Sequence, residues 1–173
     1  MIYYQQGDTD EEVESKARIT IQAANVARTS AEEMSEYLTA VWNSYQAGGD
    51  TLEDFVDKMS AVGAATATSL EEISTAMTKV ASTASTVGVS FDQLTSIVAT
   101  ISSVTRTSAE SVGTALKTVF ARMEDLDING KSEDGATLGN VSNQLKEVGI
   151  NVLDAQGNLR DLGGVIEEVG AKW

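Results

Sequence analysis

The chain has 173 residues with no Cys, His or Pro, and its 26 acidic against 12 basic residues leave a formal charge of −14. Without imidazole or thiol, the common zinc sites, a haem axial histidine and Ser-His or Cys-His nucleophile pairs are excluded, and the negative charge opposes the phosphate neutralisation that nonspecific nucleic-acid binding requires. Hydrophobic residues make up 42% of the chain but aromatics only 5%, so a core must come from small side chains on closely approaching helices.

The opening Met1 to Gly7 lacks the basic start and apolar run of a signal peptide. From there, helix-start signals recur about every twenty residues, each a Ser or Thr with an acid or amide three positions on that can close a capping box. The pairs are Thr9 with Glu12, Ser30 with Glu33, Thr51 with Asp54, Ser69 with Glu72, Ser90 with Gln93, and Thr107 with Glu110. Between the starts, apolar residues fall at helical spacing: Met34, Leu38 and Val41; Leu52, Phe55, Met59 and Val62; Ile73, Met77 and Val80; Phe91, Leu94, Val98 and Ile101; then Val112, Leu116, Val119, Phe120 and Met123. Gly7, Gly48-Gly49, Gly63 and Gly88 stand near the ends of these stripes, where a left-handed residue stops a helix.

The segments starting at Thr29, Thr68 and Thr107 superpose at a constant offset of 39, aligning Met34 with Ile73 and Val112, Leu38 with Met77 and Leu116, and Val41 with Val80 and Val119. This reads as two and a half tandem helical hairpins, each burying its stripe against the next. The expected organisation is an all-α chain: residues 1–28 hold the end of an upstream helix plus one helix, 29–123 the tandem helical-hairpin repeats, and 124–173 a loop, a short helix over about Leu138 to Val148, a candidate small β-hairpin near residues 150–160 and a terminal helix from Asp161. The abrupt stop at Trp173 reads as the boundary of a longer chain.

Candidate sites are few. Asp125, Asp127, Asn129 and Gly130 match the first half of a calcium loop, but Ala136 occupies the position of the bidentate Glu, so a polar turn is expected and no metal. The paired acids Glu32-Glu33, Glu71-Glu72 and Glu167-Glu168 suit helix dipoles or wet faces better than acid-base chemistry, and neither a cofactor nor an enzyme activity is expected. Arg106, Lys117 and Arg122 gather around one helix, and Trp42 with Tyr45 are large for this chain. Trp42, Tyr45, Lys117 and Arg122 are therefore the candidate partner surface, although core packing is the ordinary fate of such aromatics. No stretch approaches the roughly 20 apolar residues of a membrane span.

The passages ARTSAEEMSEYLTAVWNSYQAG and TSAESVGTALKTVFARMEDL, with LKEVGINVLDAQGNLRDLGGVIEEVGAKW after them, resemble the core domain of phage tail tape measure proteins, and IYYQQGDTDEEVESKARITIQAANVA resembles that family's upstream helices. The resemblance implies a structural protein of a phage or prophage tail that lies in the tail lumen, sets tube length during assembly in the bacterial cytoplasm and leaves ahead of the DNA. Its implied partners are tail tube and tail-tip proteins, tail assembly chaperones and further copies of itself, with no direct nucleic-acid binding and no membrane segment here. The alternative from the residues is a helical-repeat or coiled-coil signalling or adaptor module. Sustained heptads should then cross the cap positions, yet the stripes restart at Ser69, Ser90 and Ser108.

Overall fold

The computed structural model describes residues 2–5, 7–124, 146–152, 154–155 and 160–172, and within these spans the side chains of residues 2, 5, 122–124, 162, 166 and 170 stand outside the description. A short helix α1 (Ile2–Gln5) leads into α2 (Asp10–Ala27), α3 (Ala31–Tyr45) with a 3-10 turn over Gln46–Gly48, α4 (Leu52–Thr66), α5 (Leu70–Thr86), α6 (Phe91–Thr105), α7 (Ala109–Glu124) and a final α8 (Leu162–Lys172). The chain is all-α, with no strand among the described residues.

Five of the expected capping boxes form, at Thr9, Ser30, Thr51, Ser69 and Ser90, each joining the cap hydroxyl to the N3 amide and the N3 side chain to the cap amide. The sixth is displaced by one residue: Ser108, not Thr107, accepts the Ser111 amide at 3.4 Å, and Glu110 instead reaches Lys79 on α5 at 3.1 Å. Helix ends differ more from expectation. Arg28, Ala67 and Arg106 stop α2, α4 and α6 at φ of 59°, 56° and 56°, a left-handed conformation expected of glycine. Each cap leads through one Thr to the next N-cap serine, and the three joints lie 39 residues apart. Gly49 and Gly88, also 39 apart, take positive φ at the opposite turns, whereas Gly63 is helical and stops nothing.

The helices form two layers. In one, α5 packs against both α3 and α7. These run parallel, since Ser85 near the end of α5 donates from Oγ to the Ser44 carbonyl near the end of α3 at 2.8 Å. In the other, α4 packs on α6, their starts brought together by the Phe55 and Phe91 rings at 4.5 Å. Met34, Leu38, Val41, Phe55, Met59, Ile73, Met77, Val80, Leu94 and Val98 are fully buried between the layers, each contributing about 1.5–3 kcal/mol against exposure. Val62 and Ile101 are only half-buried, and Val119, placed in a stripe by the sequence, is 51% exposed. Of the buried hydroxyls, Thr20 bonds back one turn to the Lys16 carbonyl and Thr95 to that of Phe91, while Thr68 donates to the Ala99 carbonyl of α6 at 3.3 Å.

At the C-terminal end, the Asp161 carboxylate accepts the Gly164 amide at 2.8 Å and caps α8. The candidate β-hairpin does not form a strand among the described residues of 150–160: the Arg160 amide donates to the Val152 carbonyl at 2.9 Å, while the Arg160 guanidinium, which also pairs with Glu168, takes the neighbouring Asn151 carbonyl. The Gln156-Gly157-Asn158 turn, the calcium-like loop at 125–136 and residues 138–145 of the short helix lie outside the described residues.

Gly113 sets the spacing of α5 and α7. A Cβ there would stand 2.5 Å from the Ala76 carbonyl oxygen and 3.0 Å from its Cα, both backbone atoms that cannot yield alone. Gly113→Ala is expected to lower the melting temperature by about 3–6 °C despite its gain in helix propensity, whereas Gly48→Ala, with open space around it, leaves the melt unchanged in thermal circular dichroism.

Candidate partner surface

Trp42 lies on the last turns of α3, where the helical stripe turns its ring towards the second layer. The indole meets the Phe55 ring edge-on at 6.1 Å between centroids, and the Lys16 ammonium of α2 sits 4.9 Å from the indole centroid. Lys16 is itself held by Asp8 at 2.7 Å, so this cation is committed to a loop carboxylate and an aromatic face at once. Tyr45, one turn on, meets Phe91 edge-on at 5.7 Å and donates from its hydroxyl to the Val89 carbonyl at 3.2 Å. Burial pushes its phenol far above the usual tyrosine range. Both aromatics therefore fasten α3 to the turns and helices of this chain.

A second lysine repeats the device. Lys58 on α4 pairs with Asp50 at 2.7 Å and with Asp92 at 3.1 Å, and its ammonium lies 5.9 Å from the Phe91 centroid. The Asp50 carboxylate first, then Asp92, hold Lys58 above its ordinary range. Neither lysine stands out by composition; the signal each carries in the sequence is an Asp eight residues before it, ahead of a capping box.

Lys117 is exposed on α7, and Arg106 is exposed at the cap of α6; the Arg122 side chain stands outside the described residues. The four candidates are not one patch, because Trp42 and Tyr45 sit on α3 and Lys117 on α7, with α5 packed against both helices. The acid pairs at 32–33 and 71–72 occupy first turns of α3 and α5, while Glu168 pairs with Arg160. No group of three or more Asp and Glu suited to a metal ion occurs among the described residues, and no described helix is long and apolar enough to cross a membrane. The cleft between α3 and α5 is lined by small hydroxyl and alanine side chains, among them Ala40, Ser44, Ala81 and Ser85. It offers packing and hydrogen bonding.

Three capping carboxylates are held below their ordinary range by the hydrogen bonds they accept. The Thr9 amide first lowers Glu12, the Thr29 hydroxyl first lowers Glu33, and the Thr51 hydroxyl first lowers Asp54. A folded value below the unfolded one means that the stabilisation is complete above the unfolded carboxylate range and is lost as pH falls through the folded value. The combined variant Glu12→Gln, Glu33→Gln, Asp54→Asn keeps an acceptor at each box, as Gln93 does naturally, and is expected to lose less melting temperature than the parent between about pH 5 and pH 2, in melts recorded across that range.

A protein-family model described as phage-related minor tail protein matches residues 2–173 of the chain. No curated protein and no solved structure gives a significant match.

Proposed function

We propose, because this chain belongs to the phage-related minor tail protein family, that it is a length of a tail tape measure protein, lying in the tail lumen, setting tail length during assembly and released ahead of the DNA. Membership gives a structural role in a phage tail. The observation that carries the finer reading is that the match runs along essentially the whole chain, including the TSAESVGTALKTVFARMEDL and VGINVLDAQGNLRDL passages that resemble tape measure proteins. The partners that follow are tail tube and tail-tip proteins, assembly chaperones and other copies of the same chain; exposed Lys117 on α7, with Arg122 on the same helix, is the part of the candidate surface that remains available to them.

The 39-residue spacing of caps and joints supports reading residues 29–123 as tandem hairpins that act as interchangeable units of the ruler. A straight helix rises about 1.5 Å per residue, so two units of 39 threaded as one helix would measure about 120 Å. Packed helices stand about 8–10 Å apart, so the same two units kept as stacked hairpins would add about 20 Å. In-frame duplication of residues 29–106 in a phage encoding this protein is expected to lengthen the tail, with electron micrographs distinguishing the two increments. Assembled particles with tails of unchanged length would sink the ruler reading.

Release ahead of DNA requires a surface that does not hold on to phosphate. The charge of −14 and the acidic first turns of α2, α3, α4 and α5 supply that repulsion. The isolated chain is expected to show no retention of duplex DNA in an electrophoretic shift at about 150 mM salt; tight binding there would contradict release ahead of the genome.

A further inference from the structure

The two Asp-Lys pairs, on α2 and α4, are closed to different extents. Lys16 and Asp8 keep 13% and 15% of their side-chain surface, with the Trp42 indole against the ammonium, whereas Lys58 and Asp50 both keep 36%. The residue 39 positions after Trp42 is Ala81, so α5 has no indole to close over Lys58. A cleft of about 350 Å³ opens beside this second pair, between the turns at Gly48 and Gly88. That is room for one long side chain, at the low end of ligand-binding clefts.

The lining is aromatic below and acidic at the rim. The buried rings of Phe55 and Phe91 and the half-buried Tyr45 line the cleft with Val89, and the more exposed Asp50 and Asp92 stand beside them. Lys58 takes Asp50 Oδ2 at 2.7 Å and Asp92 Oδ1 at 3.1 Å. One ammonium therefore faces two carboxylates, and Asp50 Oδ1 and Asp92 Oδ2 are in no ion pair among the described residues.

Backbone dipoles add to that excess. Ser44 and Ser85, on the last turns of α3 and α5, line the same cleft, and neither helix carries a basic residue in its last turn. Two helix C-termini, each equivalent to about half a negative charge, thus converge there without a cation of their own. The starts of α4 and α6 bring the opposite dipole to the rim, where Glu53, Asp54 and Asp92 in their first turns offset it.

We propose that this cleft is a docking site for an arginine side chain on a basic segment of a partner protein. A planar guanidinium suits it on two counts: it stacks on aromatic faces, and its fork pairs with a carboxylate through two N–H donors. The charge of −14 adds a longer-range attraction for a basic partner. The inference rests on charge and shape and is independent of the tail role.

The test is a nuclear magnetic resonance titration of the full 173-residue chain, labelled with nitrogen-15, with a capped pentapeptide carrying one central arginine at about 150 mM salt. The Gly48, Gly88 and Val89 amides are expected to shift together and to reach half-saturation at roughly 1 mM. The same peptide with citrulline, which keeps the shape and loses the charge, is expected to bind at least about fivefold more weakly. Asp92→Asn, at a side chain 68% exposed, is expected to weaken the arginine peptide at least about threefold, whereas Glu32→Gln, at the opposite end of α3, leaves it unchanged. Shifts spread equally over the turns at Glu32 and Glu71 would mean diffuse attraction to an acidic chain and would overturn the site. Absence of saturation, equal binding of the citrulline peptide, or an unchanged affinity in Asp92→Asn would overturn it as well.

Discussion

The distance between α5 and α7 is fixed where Gly113 meets the backbone of Ala76, and the rest of the molecule is arranged around helices that approach that closely. With aromatics at 5% of the chain, no large side chain is on hand to fill a wider gap, and a void would forfeit the dispersion contacts that hold small side chains together. Ser74, 39 residues before Gly113 in the chain, is fully buried in α5 against Met59 of α4. Close spacing in turn brings hydroxyl-bearing helices into the core, which is tolerable because Thr20 and Thr95 bond to their own helix one turn back. Four of the few aromatics stand at the seam between the layers, where Trp42 and Tyr45 of α3 meet Phe55 of α4 and Phe91 of α6 in a chain of edge-on and tilted rings.

Helix starts were legible in the sequence because a capping box is a local event, decided within four residues. At Ser108 the same logic misled: Thr107 with Glu110 has the right spacing, but a lysine on the preceding layer helix competes for Glu110, and the cap moves to Ser108. Helix ends were less legible. Glycine was the expected stop, yet Arg28, Ala67 and Arg106 take the left-handed conformation at a cost of about 1 kcal/mol or more, offset by the packing that a two-residue link to the next cap allows. Gly63 was misread for the converse reason: it is required for a close approach to the Thr68 carbonyl, and its backbone is ordinary helix.

The candidate surface was the least legible part. Trp42 and Tyr45 carry no mark that separates an interface anchor from a core rim, and their partners, Lys16, Phe55, Val89 and Phe91, are between 13 and 46 residues away in the chain. Lys117 needed only its place on a helix face to be read as exposed.

The non-glycine joints at Arg28, Ala67 and Arg106 also say how the molecule yields to force. Each lies between antiparallel helices whose mutual contacts are the first to be sheared when the chain is drawn out from its two ends, and each stores backbone strain that extension relieves. A pull would therefore open the stack in discrete steps, and a 39-residue unit drawn fully straight releases about 130–140 Å of contour. Extensibility is then as much a property of its joints as rigidity is of its helices.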